Sequence, residues 1–81
     1  MQLKDTVEMM NSADYKERFK AEFYQLLIRL DGLSSMLIKL ENNTLDFDLK
    51  CSKETLENQV IFMKGYLDIL LLRAGIEGIN L

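Results

Sequence analysis

The sequence predicts an all-α protein with a short N-terminal helix and two long antiparallel helices that form a hairpin. Two long segments repeat their apolar residues at alternating steps of three and four, and one short polar stretch separates them. Proline is absent throughout. Steps of this kind are typical of helices that pack along a seam. Residues 1–81 are therefore interpreted as one helical-hairpin domain.

The first two elements follow from spacing and capping signals. Residues 3–10 are predicted to form a short amphipathic helix, which Asn11 and Ser12 interrupt. A long helix is predicted over residues 14–42, because Asp14 and Glu17 have capping-box spacing. Its inner seam consists of Phe19, Phe23, Leu26, Leu30, Leu33, Leu37 and Leu40.

Residues 43–51 are predicted to form a loop, and residues 52–77 the second long helix. Ser52 is a suitable N-cap, and Gly75 and Gly78 mark the end of the helix. Because the loop is short, the two long helices should pack antiparallel. The inner seam of the second helix consists of Leu56, Val60, Met63, Leu67, Leu70 and Ala74.

Pairing these seams leaves a second apolar stripe on each long helix. The one on the second helix, called the outer stripe below, consists of Phe62, Tyr66, Ile69, Arg73 and Ile76. The one on the first helix consists of Tyr24, Leu27, Asp31, Ser34 and Ile38. Exposed together, they exceed the apolar patch that monomers usually tolerate. We therefore expect a compact homo-oligomer in which the N-terminal segment packs on a neighbouring chain.

Composition narrows the classes of ligand and location. The net charge of −3 argues against a nucleic-acid polymer, whose binding requires many phosphates to be neutralised. It does not argue against a small anion held by a few converging cations. The sequence shows no signal peptide and no apolar stretch long enough to span a membrane, so we expect a reducing cytoplasm.

Residues suited to catalysis are scarce. Histidine, the commonest general base and metal ligand, is absent. Cys51 is the one cysteine, and no motif of a phosphate-binding loop, a serine hydrolase or a zinc protease occurs. We therefore expect no enzyme, no metal and no cofactor.

Aromatic and basic residues are the remaining candidates for ligand binding. Tyr15, Arg18 and Phe19 lie on adjoining faces of one helical turn, an arrangement suited to a nucleobase and its phosphate. A structural role is the alternative, with Tyr15 capping the core and Arg18 paired with Glu22.

Two further arginines lie among apolar residues. Arg29 is either a solvated residue paired with Glu22 or Asp31, or a ligand contact. Arg73 either pairs with Glu77 at the surface or meets its symmetry mates around a shared anion. The second role for Arg73 depends on the geometry of the oligomer, because converging like charges need an anion between them.

The order of these residues resembles a known family. The first half of the pattern is Asp14-Tyr15-x-x-Arg18-Phe19-x-x-Glu22-x-x-x-Leu26-x-x-Arg29. The second half is Leu56-x-x-Gln59-x-x-x-Met63-x-x-Tyr66-x-x-Ile69-Leu70-x-x-Arg73. Together they resemble small helical phage proteins that sequester cyclic oligonucleotides and blunt CBASS antiviral immunity, some of them labelled crAss-like-phage-related.

The resemblance implies a function and a location. Members form homohexamers of helical hairpins and bind cyclic dinucleotides between protomers, without cleaving them, in the cytoplasm of the infected host. Some also bind cyclic trinucleotides on threefold axes, and related phage sponges bind cyclic ADP-ribose isomers. By position, Tyr15 would stack on a base, Arg29 lies near the phosphate-contacting residue, and Arg73 would meet phosphates on the threefold axis.

One stretch departs from the family pattern. Gly32-Leu33-Ser34-Ser35 replaces a charged run where a polar contact to a trinucleotide is expected, so the trinucleotide site has less support. The alternative to a sponge is a helical-hairpin adaptor, regulatory or structural, that binds another protein through the outer stripe.

Overall fold

The observed elements are all helical. A computed structural model describes residues 1–81 and contains no strand. A 3₁₀ turn, Leu3–Thr6, continues into the short helix α1, Val7–Met10. The long helices are α2, Tyr15–Glu41, and α3, Lys53–Glu77. The predicted all-α class with one short and two long helices is confirmed.

None of the helices combines the length and apolarity needed to cross a membrane.

Side chains at the predicted caps begin both long helices. The Asp14 carboxylate accepts a hydrogen bond from the Lys16 backbone N–H at 3.0 Å, and Ser52 Oγ accepts one from the Thr55 N–H at 3.1 Å. The capping box predicted for Asp14 is incomplete, because Glu17 pairs with Lys20 at 3.2 Å instead of reaching back.

Glycine also has a clear role at the other end of α3. Gly75 lies inside this helix, whereas Gly78 follows its last residue with φ of 67°. This left-handed conformation suits glycine and lets the chain leave the helix axis.

Contacts between α2 and α3 establish an antiparallel hairpin. Near the loop, Lys53 Nζ lies 3.5 Å from Glu41 Oε1. Midway along, the Tyr66 hydroxyl donates to the Glu22 carboxylate. At the far end, the Arg73 guanidinium lies 5.0 Å from the centroid of the Phe19 ring. Early residues of α2 therefore meet late residues of α3.

The core follows the two predicted seams and adds the C-terminal tail. Every seam position of both helices is buried or half-buried. The main cluster of buried residues consists of Phe19, Phe23, Leu26, Leu70, Ala74 and Ile79. Ile79 lies beyond α3, and its backbone N–H donates to the Ala74 carbonyl at 2.9 Å. The tail thus folds back over the end of the hairpin, a contact that helical periodicity does not describe.

The N-terminal segment packs on α2 of its own chain. Thr6 is 1% exposed, and its hydroxyl donates to the Leu3 carbonyl at 2.7 Å. The Gln25 side-chain N–H in α2 donates to the same hydroxyl oxygen at 2.9 Å. Thr6 thus faces α2 of the same chain, whereas Leu3, Val7 and Met10 are exposed, and packing of the segment on a neighbouring chain stays a prediction. A buried hydroxyl needs such partners, and Gln25 provides one within reach.

Of the two long helices, α3 has far more exposed large apolar residues than α2. Phe62 is 77% and Ile76 75% exposed, and Ile69 of the outer stripe is also exposed. On α2, Tyr24 and Leu27 pack against the core and are half-buried, whereas Ile38 is exposed. The predicted excess of apolar surface is thus present, but it is concentrated on one helix.

The packing of the N-terminal segment can be tested with Thr6→Val. Valine has nearly the same shape but removes both hydrogen bonds and leaves the Gln25 amide nitrogen with only its weak contact to Met10 Sδ. We expect the free energy of unfolding to fall by about 1–3 kcal/mol in chemical denaturation. The matched control is Thr55→Val, because the Thr55 hydroxyl is exposed and should matter little. Equal effects of the two changes would contradict a specific role for Thr6.

Candidate ligand site

The predicted site residues occupy two separate places on the hairpin. Tyr15, Arg18, Phe19 and Arg73 lie at the end where α2 begins and α3 finishes. Arg29 lies fourteen residues after Tyr15 on α2, which corresponds to about 21 Å along a straight helix. One chain therefore does not bring all five residues together.

Tyr15 and Arg18 are exposed at the start of α2. Tyr15 is 49% exposed. Arg18 Nη1 donates to the Ser12 carbonyl at 2.8 Å, so this side chain ties the linker to the helix instead of pairing with Glu22. A guanidinium has five N–H donors, and this contact leaves the others available. Both residues can be reached by a ligand.

Phe19 and Arg73 form one stacked unit. The Phe19 ring is 6% exposed and belongs to the main core cluster, and the Arg73 guanidinium lies 5.0 Å from its centroid. Arg73 Nη2 is also 3.9 Å from Glu77 Oε2. The Arg73 side chain is 51% exposed. Arg73 therefore lays its stem over the core and keeps its charge in water.

These contacts leave Arg73 able to change partners. An exposed ion pair contributes about 0–1 kcal/mol, and an exposed cation–π contact about 0.5–1 kcal/mol. An incoming anion would thus displace only a weak interaction with Glu77. The Phe19 ring packs against the Arg73 guanidinium. A direct contact between Phe19 and a ligand stays a prediction.

A shallow depression lies midway along the hairpin, between α2 and α3. Its volume is about 180 Å³. Its lining consists of Glu22, Gln25, Leu26, Arg29 and Tyr66. Of these, only Arg29 was predicted as a ligand contact. Arg29 makes no ion pair with Glu22 or Asp31, and the Glu22 carboxylate instead accepts from the Tyr66 hydroxyl.

The N-terminal segment orients one wall of this depression. Gln25 Nε2 donates to Thr6 Oγ1 at 2.9 Å and contacts Met10 Sδ at 3.5 Å. Both contacts use the amide nitrogen, so the amide oxygen is left as an acceptor. The N-terminal segment thus fixes the orientation of the Gln25 side chain in the wall of the depression.

Sequence reasoning did not assign Glu22, Gln25 and Tyr66 to the site. Glu22 was treated as an ion-pair partner, and Tyr66 as part of an interface. A usable signal was the spacing of Tyr15, Glu22 and Arg29, which recur every seven residues and share one face of the helix. The side chains that could bind a metal do not cluster in groups of three or more.

The different roles of Phe19 and Arg73 predict losses of stability of different size when each is replaced by alanine. Phe19→Ala should lower the free energy of unfolding by about 3–5 kcal/mol, because it empties part of the core. Arg73→Ala should lower it by about 0.5–2 kcal/mol, because only the cation–π contact with Phe19 and the exposed ion pair with Glu77 are lost. Denaturant titration of both variants checks this. A large loss from Arg73→Ala would show that the arginine is structural.

Comparison with known proteins identifies a family. A family model described as Sequestin matches residues 13–76, which include α2 and all of α3 except its last residue, Glu77. The curated proteins contain no significant match to the chain. The solved structures contain none either. The match begins after the N-terminal segment and covers every residue that was proposed from the sequence to contact a ligand.

Proposed function

The chain belongs to the Sequestin family, and we propose that it binds and sequesters cyclic nucleotide second messengers without cleaving them. The family description points to sequestration of a ligand rather than to catalysis. The match fits the phage anti-CBASS sponge family that the sequence pattern resembles. Under this proposal the protein acts in the cytoplasm of an infected bacterium and withholds the signal from its immune effector.

One observation carries the choice of an anionic ligand. Three arginines, Arg18, Arg29 and Arg73, present exposed guanidinium groups on a chain whose net charge is −3. Each lies near an aromatic residue: Arg18 close to Tyr15 along α2, Arg29 with Tyr66, and Arg73 over Phe19. Paired rings and guanidinium groups suit a small ligand that has both bases and phosphates.

Self-association is part of the proposal. The outer stripe exposes Phe62, Ile69 and Ile76 on a chain whose own core contains only ten buried apolar residues. Covering such a stripe with a second copy removes apolar surface from water at about 25 cal/mol per Å². The resemblance suggests six copies, with cyclic dinucleotides bound between protomers.

The separation of Tyr15 and Arg29 supports a shared site. The two side chains project from one rigid helix about 21 Å apart. A ligand smaller than this separation contacts both residues only when they come from different chains. Arg73 lies on the outer stripe, so it would meet its own copies where stripes converge, as at the threefold site for cyclic trinucleotides.

Assembly through the outer stripe is tested by light scattering. We expect a particle several times heavier than the 9.4 kDa chain at micromolar concentration. Ile69→Glu should dissociate it, because a charge would be buried in the interface. The matched control is Ser35→Glu, which adds the same charge at an exposed site on α2. A folded monomer in the unmodified protein would contradict the shared sites.

Ligand binding is tested by thermal shift against cyclic dinucleotides, cyclic trinucleotides and cyclic ADP-ribose isomers. A ligand at one hundred times its Kd should stabilise the folded state by about 2.7 kcal/mol. We expect a clear rise in Tm with cyclic dinucleotides and recovery of the ligand intact after denaturation. If no nucleotide shifts the Tm, the exposed outer stripe favours the alternative function, an adaptor that binds another protein.

The variant for this experiment is Tyr15→Ala. Loss of one stacked base should weaken cyclic dinucleotide binding by about 1–3 kcal/mol and leave the assembly intact. Phe47→Ala is the control, because Phe47 is an exposed aromatic residue in the loop, far from the candidate site. If Tyr15→Ala instead dissociates the assembly, Tyr15 is an interface residue and the stacking role is wrong.

A further inference from the structure

The depression between α2 and α3 has an acidic residue at one end and a basic residue at the other. Glu22 lies at one end and Arg29 at the other, with Gln25 between them. Arg29 lies seven positions after Glu22, which corresponds to about 10 Å along the helix. A carboxylate and a guanidinium at opposite ends suit a ligand with N–H donors at one end and an anion at the other.

The volume limits what part of a ligand fits. Sites for drug-sized molecules measure about 300–1,000 Å³, whereas the depression measures about 180 Å³. It is too small for a whole cyclic dinucleotide and has room for one heterocyclic base. Leu26 contributes apolar surface and Tyr66 an aromatic ring, which are the groups against which a base packs.

Two hydrogen-bond acceptors remain free at the Glu22 end. The Tyr66 hydroxyl donates to Oε2 of Glu22, and Oε1 has no partner. The amide nitrogen of Gln25 is held by Thr6 and Met10, so its oxygen is available as a second acceptor. This end of the depression therefore accepts hydrogen bonds and offers few donors.

We propose that Glu22 reads the base of the bound cyclic nucleotide and selects guanine over adenine, an inference that rests on the proposed function. The Watson–Crick edge of guanine has two adjacent donors, N1–H and the N2 amino group. Glu22 Oε1 accepts one of them, and Oε2 accepts the other with the lone pair that the Tyr66 hydroxyl does not use. On adenine the ring N1 is an acceptor, so its lone pair would face the carboxylate. Arg29, at the opposite end, binds the phosphate that all these ligands share.

Glu22→Gln reverses this complementarity with little change of shape. An amide presents one acceptor and one donor, which match the amino group and ring nitrogen of adenine. The half-buried position of Glu22 on the surface of α2 makes the substitution compatible with folding, and circular dichroism verifies it. Glu57→Gln is the matched control, because Glu57 is an exposed glutamate of α3 that does not line the depression.

The experiment is calorimetric titration of the full chain with cyclic di-guanosine and cyclic di-adenosine monophosphate. The unmodified protein should prefer the guanosine ligand by about 5- to 150-fold, the range of bidentate base contacts. Glu22→Gln should abolish or invert this ratio, whereas Glu57→Gln should preserve it. Arg29→Gln should weaken both ligands to the same extent, because the phosphate is common to them.

Two results would overturn the inference in distinguishable ways. If both ligands bind the unmodified protein equally, or Glu22→Gln leaves the ratio unchanged, the reading by Glu22 is wrong and sequestration still stands. If neither these ligands nor any other cyclic nucleotide binds, the proposed function fails, and the role of Glu22 fails with it.

Discussion

The structure depends on one imbalance: α3 is apolar on two faces, and α2 covers only one of them. The inner face of α3 pairs with the seam of α2, and every seam residue is buried or half-buried. The outer stripe has no counterpart within the chain, so Phe62 and Ile76 face water. A chain of 81 residues without a disulfide has a small core of its own. Removing the outer stripe from water is therefore the main source of further stability, and it favours self-association.

The exposure of Arg73 is connected with this imbalance, because Arg73 lies on the outer stripe. A cation on an apolar face keeps its charge at the surface and its stem on its neighbours, as Arg73 does above Phe19. Exposing such a cation in a single chain costs little free energy, whereas burying it without a counter-ion carries a large desolvation penalty. Closing the outer stripe against another copy would therefore create a demand for an anion at the place where apolar contact is strongest. Under the proposed function, assembly through the outer stripe and anion binding by Arg73 would therefore favour each other.

Periodicity predicted the helices and the seams because both depend on local, repeating geometry. It could not predict the return of Ile79 to the core, the contact of Thr6 with Gln25, or the hydrogen bond from Tyr66 to Glu22. Each of these contacts joins residues that are not related by the helical repeat. Each depends on the backbone path of an irregular segment or on the rotamer of a side chain. The candidate site was only partly predictable for the same reason. Tyr15 and the arginines were recognisable by residue type, whereas Glu22 and Gln25 acquire a role only through the partners that orient them.

A protein that holds a ligand without transforming it depends on affinity, and a single hairpin presents only parts of a complete site. The depression has room for about one base, and Tyr15 lies about 21 Å from Arg29 on the same helix. Complete sites built between chains would couple ligand binding to assembly, because whatever binds the assembled state stabilises it by mass action. By reciprocity, assembly strengthens ligand binding by the same factor. The outer stripe on α3 exposes apolar surface in a single chain. By bringing several chains together, it would combine weakly binding partial sites into complete sites of higher affinity.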